Sequence, residues 1–191
     1  MSRLVFLDTE TTGLPKSRNS NGLEIKGNWP DIVSVAWAVY ENKTLVKSRY
    51  SVIKPEGWTI PADSIRIHGI TEEEASKGSS LHDILTELGK DLEDSTVVAH
   101  NMEFDKNVLL AAYKWRLGIN PWTLWPKTEI CTMVRSTSEL KLPSRFKDSK
   151  QFKPPTLTEL YKATFGKEPV GQHNSQKDVE ILCEIYWSRW P

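Results

Sequence analysis

Leu4-Val-Phe-Leu7 is an unbroken apolar run that stops at an acid, Asp8, and no other feature of the chain constrains its fold as strongly. Such a run has no polar face, so as a strand it needs cover on both sides, which places it centrally in a sheet. Thr96 to Ala99 is a second short buried strand, leading through His100-Asn101 into a helical pattern from about Met102 to Leu117. Phe104, Val108, Leu109, Ala112 and Trp115 recur there near helical spacing. Thr11 to Pro30 is rich in Gly, Asn, Ser and Pro and reads as a loop. Ile32 to Tyr40 and Thr44 to Lys54 then read as strands around a Glu41-Asn42-Lys43 turn, so the first three strands form an antiparallel meander.

Capping-box patterns at Thr71 to Glu74, Ser80 to Asp83 and Thr156 to Glu159 announce helices. Glu129 to Met133 reads as a last strand, and helices at about Thr156 to Phe165 and Ser175 to Trp187 close the chain. A meander followed by alternating strands and helices predicts an α/β layer fold with a mixed sheet, in one domain over residues 1–191. Arg135 to Pro155 reads as irregular. It carries Arg135, Lys141, Arg145, Lys147, Lys150 and Lys153, interleaved with Phe146 and Phe152, which suits a phosphate backbone or a solvated loop equally.

Lys plus Arg and Asp plus Glu each total 25, so affinity for a polyanion must come from local charge or bound metal. Cys131 and Cys183 lack the close spacing of a structural zinc site, and reduced thiols in a cytoplasmic or nuclear compartment are expected. The N-terminus reaches Asp8 too early for a secretory signal, and no apolar stretch is long enough to span a bilayer; export and membrane insertion are not expected. Trp29, Trp58, Trp122 and Trp125 lie in Pro- or Gly-flanked segments and suit packing more than base stacking, while Trp37, Trp115 and Trp187 have core positions.

Asp8 and Glu10 are two apart at a strand end, so both leave the same face. An Asp followed by Thr and Gly is also good turn chemistry. Asp105 lies one turn into the helix after the second buried strand, where an acid also suits the helix dipole, with Asn101 as its N-cap. His100 reads as a structural histidine. His173 and Asp178 fall in Gly171 to Asp178, where Ser175-Gln-Lys-Asp178 is itself a capping-box pattern. An imidazole, with an ordinary pKa of about 6.5, beside such acids is suited to accept a proton. Phosphodiester hydrolysis needs charge on the phosphate oxygens and an activated water, which two divalent ions held by several carboxylates supply.

Taken together, Phe6 to Leu14, Val98 to Asp105 and His173 to Asp178, with Ile67-His-Gly-Ile-Thr71 between the first two, resemble the motifs of the DEDDh exonuclease family, which includes the proofreading subunit of bacterial replicative DNA polymerase. The resemblance spans residues 4 to about 187. It implies a ribonuclease H-like fold, with a mixed five-stranded sheet whose first three strands are antiparallel, flanked by helices. It implies two Mg²⁺ ions, replaceable by Mn²⁺, held by Asp8, Glu10, Asp105 and Asp178, and His173 as general base. Thr11, Thr12 and Leu14 would contact the terminal nucleotide, His68-Gly69-Ile70 its base or sugar, with Asn101 and Phe104 supporting the site. The family often has Ala where this chain has Ser175.

The implied activity is a 3′-to-5′ exonuclease releasing nucleoside 5′-monophosphates, with single-stranded DNA 3′ ends as the leading substrate. RNA 3′-end trimming and a non-catalytic nucleic-acid-binding module remain alternatives; an aspartate-nucleophile phosphatase fits poorly. A polymerase or other nucleic-acid-processing partner and a homodimer are further expectations.

Overall fold

The computed structural model describes residues 3–144 and 151–191. Five strands form one mixed sheet: β1 (Arg3–Thr11), β2 (Ile32–Glu41), β3 (Thr44–Val52), β4 (Thr96–Ala99) and β5 (Thr128–Cys131), in the order β3-β2-β1-β4-β5. Strands β1, β2 and β3 pair antiparallel, and β4 and β5 run parallel to β1. The β2–β3 hairpin closes through Asn42 and Lys43, both at positive φ, the two-residue turn whose twist matches that of its strands.

Seven helices are described: α1 (Ala62–His68), α2 (Glu72–Ser76), α3 (Leu81–Leu92), α4 (Met102–Ala111), α5 (Thr132–Leu140), α6 (Leu157–Phe165) and α7 (Ser175–Arg189). The expected caps at Thr71, Ser80 and Thr156 all accept bonds from the backbone three residues on, and Thr156 with Glu159 completes a capping box. Strand alternation divides the interior. Val5 and Leu7 face the larger core with residues of α3 and α4, whereas Phe6 faces the core formed with α7. There Phe6 packs edge-on against Tyr40 and Tyr186, with centroids 5.3 and 5.1 Å away. Such geometry adds about 0.5–1.5 kcal/mol per pair beyond area burial.

Two elements, and the burial of several tryptophans, differ from the sequence expectation. The helix after β4 ends at Ala111 and continues as a π-helical turn, Ala112–Arg116. This turn aims Trp115 and Arg116 at the loop between β1 and β2: Trp115 Nε1 donates to Gly22 O at 2.9 Å, and Arg116 pairs with Asp31 at 2.6 Å. Part of the stretch expected to be irregular is α5. Its bases are largely engaged, Arg135 lying over the Trp190 ring at 4.5 Å and Lys153 pairing with Glu159, while Lys141 and Phe152 are exposed. Arg145, Phe146, Lys147 and Lys150 lie outside the described residues. Among the tryptophans, Trp37 is fully buried and Trp29 and Trp125 nearly so, but Trp58, Trp115 and Trp187 are only half-buried and Trp122 is exposed. No described helix is long and apolar enough to cross a membrane.

Candidate active site

The alternation that sends Val5 and Leu7 to one side of β1 sends Asp8 and Glu10 to the other, towards α7. Asp178, in the first turn of α7, meets them there: Asp8, Glu10 and Asp178 each offer a carboxylate oxygen, and these oxygens all lie within 4.8 Å of one another. Thr9, between the two β1 acids, turns the opposite way. Its backbone N–H and its hydroxyl both donate to Asp105 Oδ1, at 3.0 and 2.8 Å, so the fourth acid is fixed to the same strand from α4.

The acids act on one another. Burial, reinforced by Asp105, Asp178 and Glu10, raises Asp8 well above the ordinary carboxylate range. Glu10 is pushed up to about 8 by burial and then by Asp178 and Asp105. Burial raises Asp178 to about 6, against the opposing pull of His173 and backbone N–H groups. Burial also raises Asp105, although the bonds from Thr9 oppose it. Among the described residues no lysine or arginine contributes to these shifts, so this is an anionic cluster without a cationic side chain of its own. Hard oxygen donors crowded in this way, reluctant to ionise together, suit a divalent cation that would displace their protons.

His173 sits at the rim. It is exposed, adopts a left-handed backbone with φ of 62°, and donates its backbone N–H to Asp178 Oδ2 at 3.0 Å. A non-glycine residue held in that region marks a conformation imposed by its surroundings. Asn101 at the other wall is left-handed too, with φ of 69°; it stands at the N-cap position of α4, yet its side chain makes no capping bond. The helix start at α7 also departs from its expected form. Asn174 is the N-cap, accepting from Lys177 N–H, whereas Ser175 is fully buried and bonds Ser34 of β2, Oγ to Oγ, at 2.9 Å. Asp178 is therefore not one half of a capping box.

A cleft of about 550 Å³ opens beside the cluster, lined by Asp8, His173 and Asp178 together with Leu14, Asn101 and Phe104, whereas Glu10 and Asp105 do not line it. Sequence reasoning missed several of its other walls: Pro15, Arg18 and Trp29 from the loop after β1, Glu103 from α4, and Thr156, Thr158 and Gln172 around α6. Apart from Glu103, which lies within the Val98 to Asp105 motif without being singled out there, none belongs to a motif, and Thr156 carries only its capping signal. His100 is the structural residue expected of it. Nε2 donates to Pro155 O and Nδ1 meets Thr132 Oγ1, both at 3.0 Å, and burial lowers its pKa to about 4, keeping it neutral.

Other sequence-selected residues lie elsewhere. Thr11 is buried and its hydroxyl donates to Gly13 O, while Thr12 bridges to Asp31 and lines an adjoining cleft of about 430 Å³. His68 is buried at the end of α1, where its Nδ1 accepts from Ile70 N–H, and Gly69 is the left-handed C-cap. Ile70 packs with Val33, Ile60 and Ala75. None of these three lines the acid cleft.

A sheet of this order, with a carboxylate cluster at the end of its central strand, has the architecture of the ribonuclease H-like fold. The chain belongs to the exonuclease family, whose model matches residues 5–186. Its relatives include the PolC-type DNA polymerase III of Thermotoga maritima, 28% identical over 182 residues, covering 95% of this chain and 11% of the relative. The DNA polymerase III subunit epsilon of Rickettsia typhi is 25% identical over 187 residues, covering 96% of this chain and 72% of the subunit. The chain thus spans about a tenth of the polymerase it matches but most of the subunit. Among solved structures, E. coli exonuclease I in complex with a dT13 oligonucleotide shares the fold, with a TM-score of 0.73 at 16% identity, covering 97% of this chain and 40% of that one.

Proposed function

We propose that this chain removes nucleotides one at a time from the 3′ end of single-stranded DNA, releasing nucleoside 5′-monophosphates. The observation that carries the reading is the convergence of Asp8, Glu10 and Asp178 oxygens within 4.8 Å of one another, beside a cleft lined by Asp8, Asp178 and His173. Asp8, Glu10 and Asp178, backed by Asp105, would hold divalent cations, Mg²⁺ first and Mn²⁺ as a substitute, which supply charge neutralisation at the phosphate and a lowered pKa for water.

The chain's own groups do the rest. The His173 imidazole accepts the proton of the attacking water, its backbone kept beside the acids by the bond to Asp178. Leu14, 69% exposed at the cleft, offers an apolar face to a terminal base, and Phe104 lies at the cleft beside Asn101. A strand end threaded into such a cleft must be unpaired, which favours single strands. The names of the polymerase relatives support a DNA substrate and a polymerase partner.

The test is digestion of end-labelled single- and double-stranded DNA and RNA in Mg²⁺ or Mn²⁺, with a chelator control. Release of 5′-monophosphates from the 3′ end of single-stranded DNA, abolished by chelation, is expected. Products bearing a 3′-phosphate, turnover undiminished by chelator, or binding without any release would overturn the reading. Faster digestion of RNA would reassign the substrate.

A further inference from the structure

The loop between β1 and β2 is more tightly built than its composition suggests. Asn28 is 5% exposed and holds the backbone on one side of Arg18: its Oδ1 accepts from Ser17 N–H at 2.9 Å, its Nδ2 donates to Ser17 O at 2.8 Å, and its carbonyl accepts from Lys16 N–H at 3.0 Å. On the other side, the Trp29 indole donates to Ser20 O at 2.9 Å. Further along, Gly22 lies against α4, where its N–H donates to Asn107 Oδ1 at 2.7 Å. The strap is therefore clamped at three points, one of them on the helix that carries Asp105.

Arg18, exposed on this strap, lines the acid cleft. It is the sole lysine or arginine among the described residues lining that cleft, and its guanidinium makes no ion pair with Asp8, Glu103 or Asp178, which line it too. A fixed backbone presenting an unpaired guanidinium fork at a cleft whose other charged walls are the acids Asp8, Glu103 and Asp178 matches the bidentate recognition of phosphate oxygens.

We infer that Arg18 is a substrate-positioning residue that binds the phosphodiester immediately 5′ of the one being cut. The inference rests on the exonuclease reading. The acid cluster and the cations it would hold claim the scissile phosphate. A nucleotide entering by its free 3′-hydroxyl has no phosphate on its 3′ side, so the guanidinium is left with the neighbouring phosphate on the 5′ side. This contact sets the shortest substrate handled efficiently: one that carries a phosphate beyond the scissile bond.

The experiment compares two dinucleotides, d(TpT), which has only the scissile phosphate, and d(pTpT), which adds the neighbouring one. The wild type is expected to turn over d(pTpT) with kcat/KM about tenfold higher, the difference lying in KM, as one charge-assisted hydrogen-bonding contact would give. In Arg18→Ala the preference falls to about one, and Arg18→Lys keeps part of it. A ratio is unmoved by general damage to the fold, which affects both substrates alike. A wild-type ratio near one, or a ratio that survives Arg18→Ala, overturns the assignment. Affinities for the same pair in Ca²⁺ give the same ratio without turnover. If no nucleotide is released in Mg²⁺ or Mn²⁺, the exonuclease reading fails, while the Ca²⁺ ratio still decides for or against Arg18.

Discussion

The backbone N–H of His173 donates to Asp178 Oδ2 at 3.0 Å, so the residue proposed as base and the acid of α7 are positioned as one unit. Because the link runs through the backbone, the imidazole can be removed without breaking it, provided the left-handed conformation is kept.

Glycine adopts φ of about 60° without the Cβ penalty, whereas alanine at position 173 inherits the strain of φ 62° and loses the imidazole as well. His173→Gly is therefore the cleaner deletion. It should lower kcat about 10²- to 10⁴-fold, the usual range for a positioned general base, while the Mn²⁺ affinity read by calorimetry stays near wild type. Recovery of part of the rate with added imidazole would support the role; a His173→Gly protein as active as wild type removes it.

The acid cluster makes stability in chelator depend on pH in a defined direction. Glu10 ordinarily titrates at 4.5 but sits at about 8 in the folded chain, and Asp178 moves from 3.8 to about 6. The folded state therefore binds more protons than the unfolded state between these limits, so the stability these groups contribute at low pH is lost as pH rises through the folded values. The melting temperature in chelator should fall from pH 5 to pH 8. Glu10→Gln should flatten that fall. Mn²⁺ should raise the melting temperature more at pH 8 than at pH 5, where protons compete for the same oxygens. A Glu10→Gln profile parallel to wild type would show that the cluster is not the source.

Ser175 bonds Ser34 across the α7–β2 contact, with Oγ atoms 2.9 Å apart and both residues wholly buried. The hydroxyl at position 175 is thus matched by a second one. Ser34→Ala leaves the buried Ser175 hydroxyl without its partner and should cost about 1–3 kcal/mol, whereas Ser175→Ala leaves Ser34 its bond with Tyr50 and should cost less. Ser34→Ala with Ser175→Ala should cost less than the two single effects combined. Urea denaturation of the four proteins gives the coupling directly; additive losses would mean that the pair does not act as a unit.

What the sequence disclosed, and what it hid, follows from how far each signal reaches along the chain. The Leu4–Leu7 run, the hairpin and the Thr156 capping box are local features, and each is found where it was expected. The placement of Asp8 and Glu10 on one face followed from strand alternation alone. Helix α5 escaped notice because Thr132 to Leu140 is rich in Ser and Thr, poor helix formers, and Cys131 supplies no side-chain cap. There Ser136 and Thr137 bond back to carbonyls of the preceding turn, and Thr132 and Ser136 are fully buried, so tertiary packing outweighs propensity. Helix α1 has no side-chain cap either, starting after Pro61. Asn174, and not Ser175, caps α7, because Ser34, 141 residues away, takes the serine hydroxyl. The strap around Arg18 reads as a loop since the groups that order it, Asn28, Trp29 and Asn107, declare themselves only through tertiary hydrogen bonds.

Gly22 tests whether that order matters. A Cβ built there would stand 2.2 Å from Asn107 O and 3.0 Å from Ala111 N, both backbone atoms of α4, so no side-chain rotation relieves the overlap. Gly22→Ala must push the strap away from the helix, straining the bonds from Gly22 N–H to Asn107 Oδ1 and from Trp115 Nε1 to Gly22 O. Overpacking of this kind costs about 1–3 kcal/mol, or several degrees of melting temperature for a chain of this size. The acids on β1, α4 and α7 do not depend on the strap, so metal binding should persist. The preference for d(pTpT) over d(TpT) should weaken as Arg18 loses its fixed backbone. If Gly22→Ala melts lower yet keeps that preference in full, the strap contributes only stability and the placing of Arg18 does not depend on its clamp to α4.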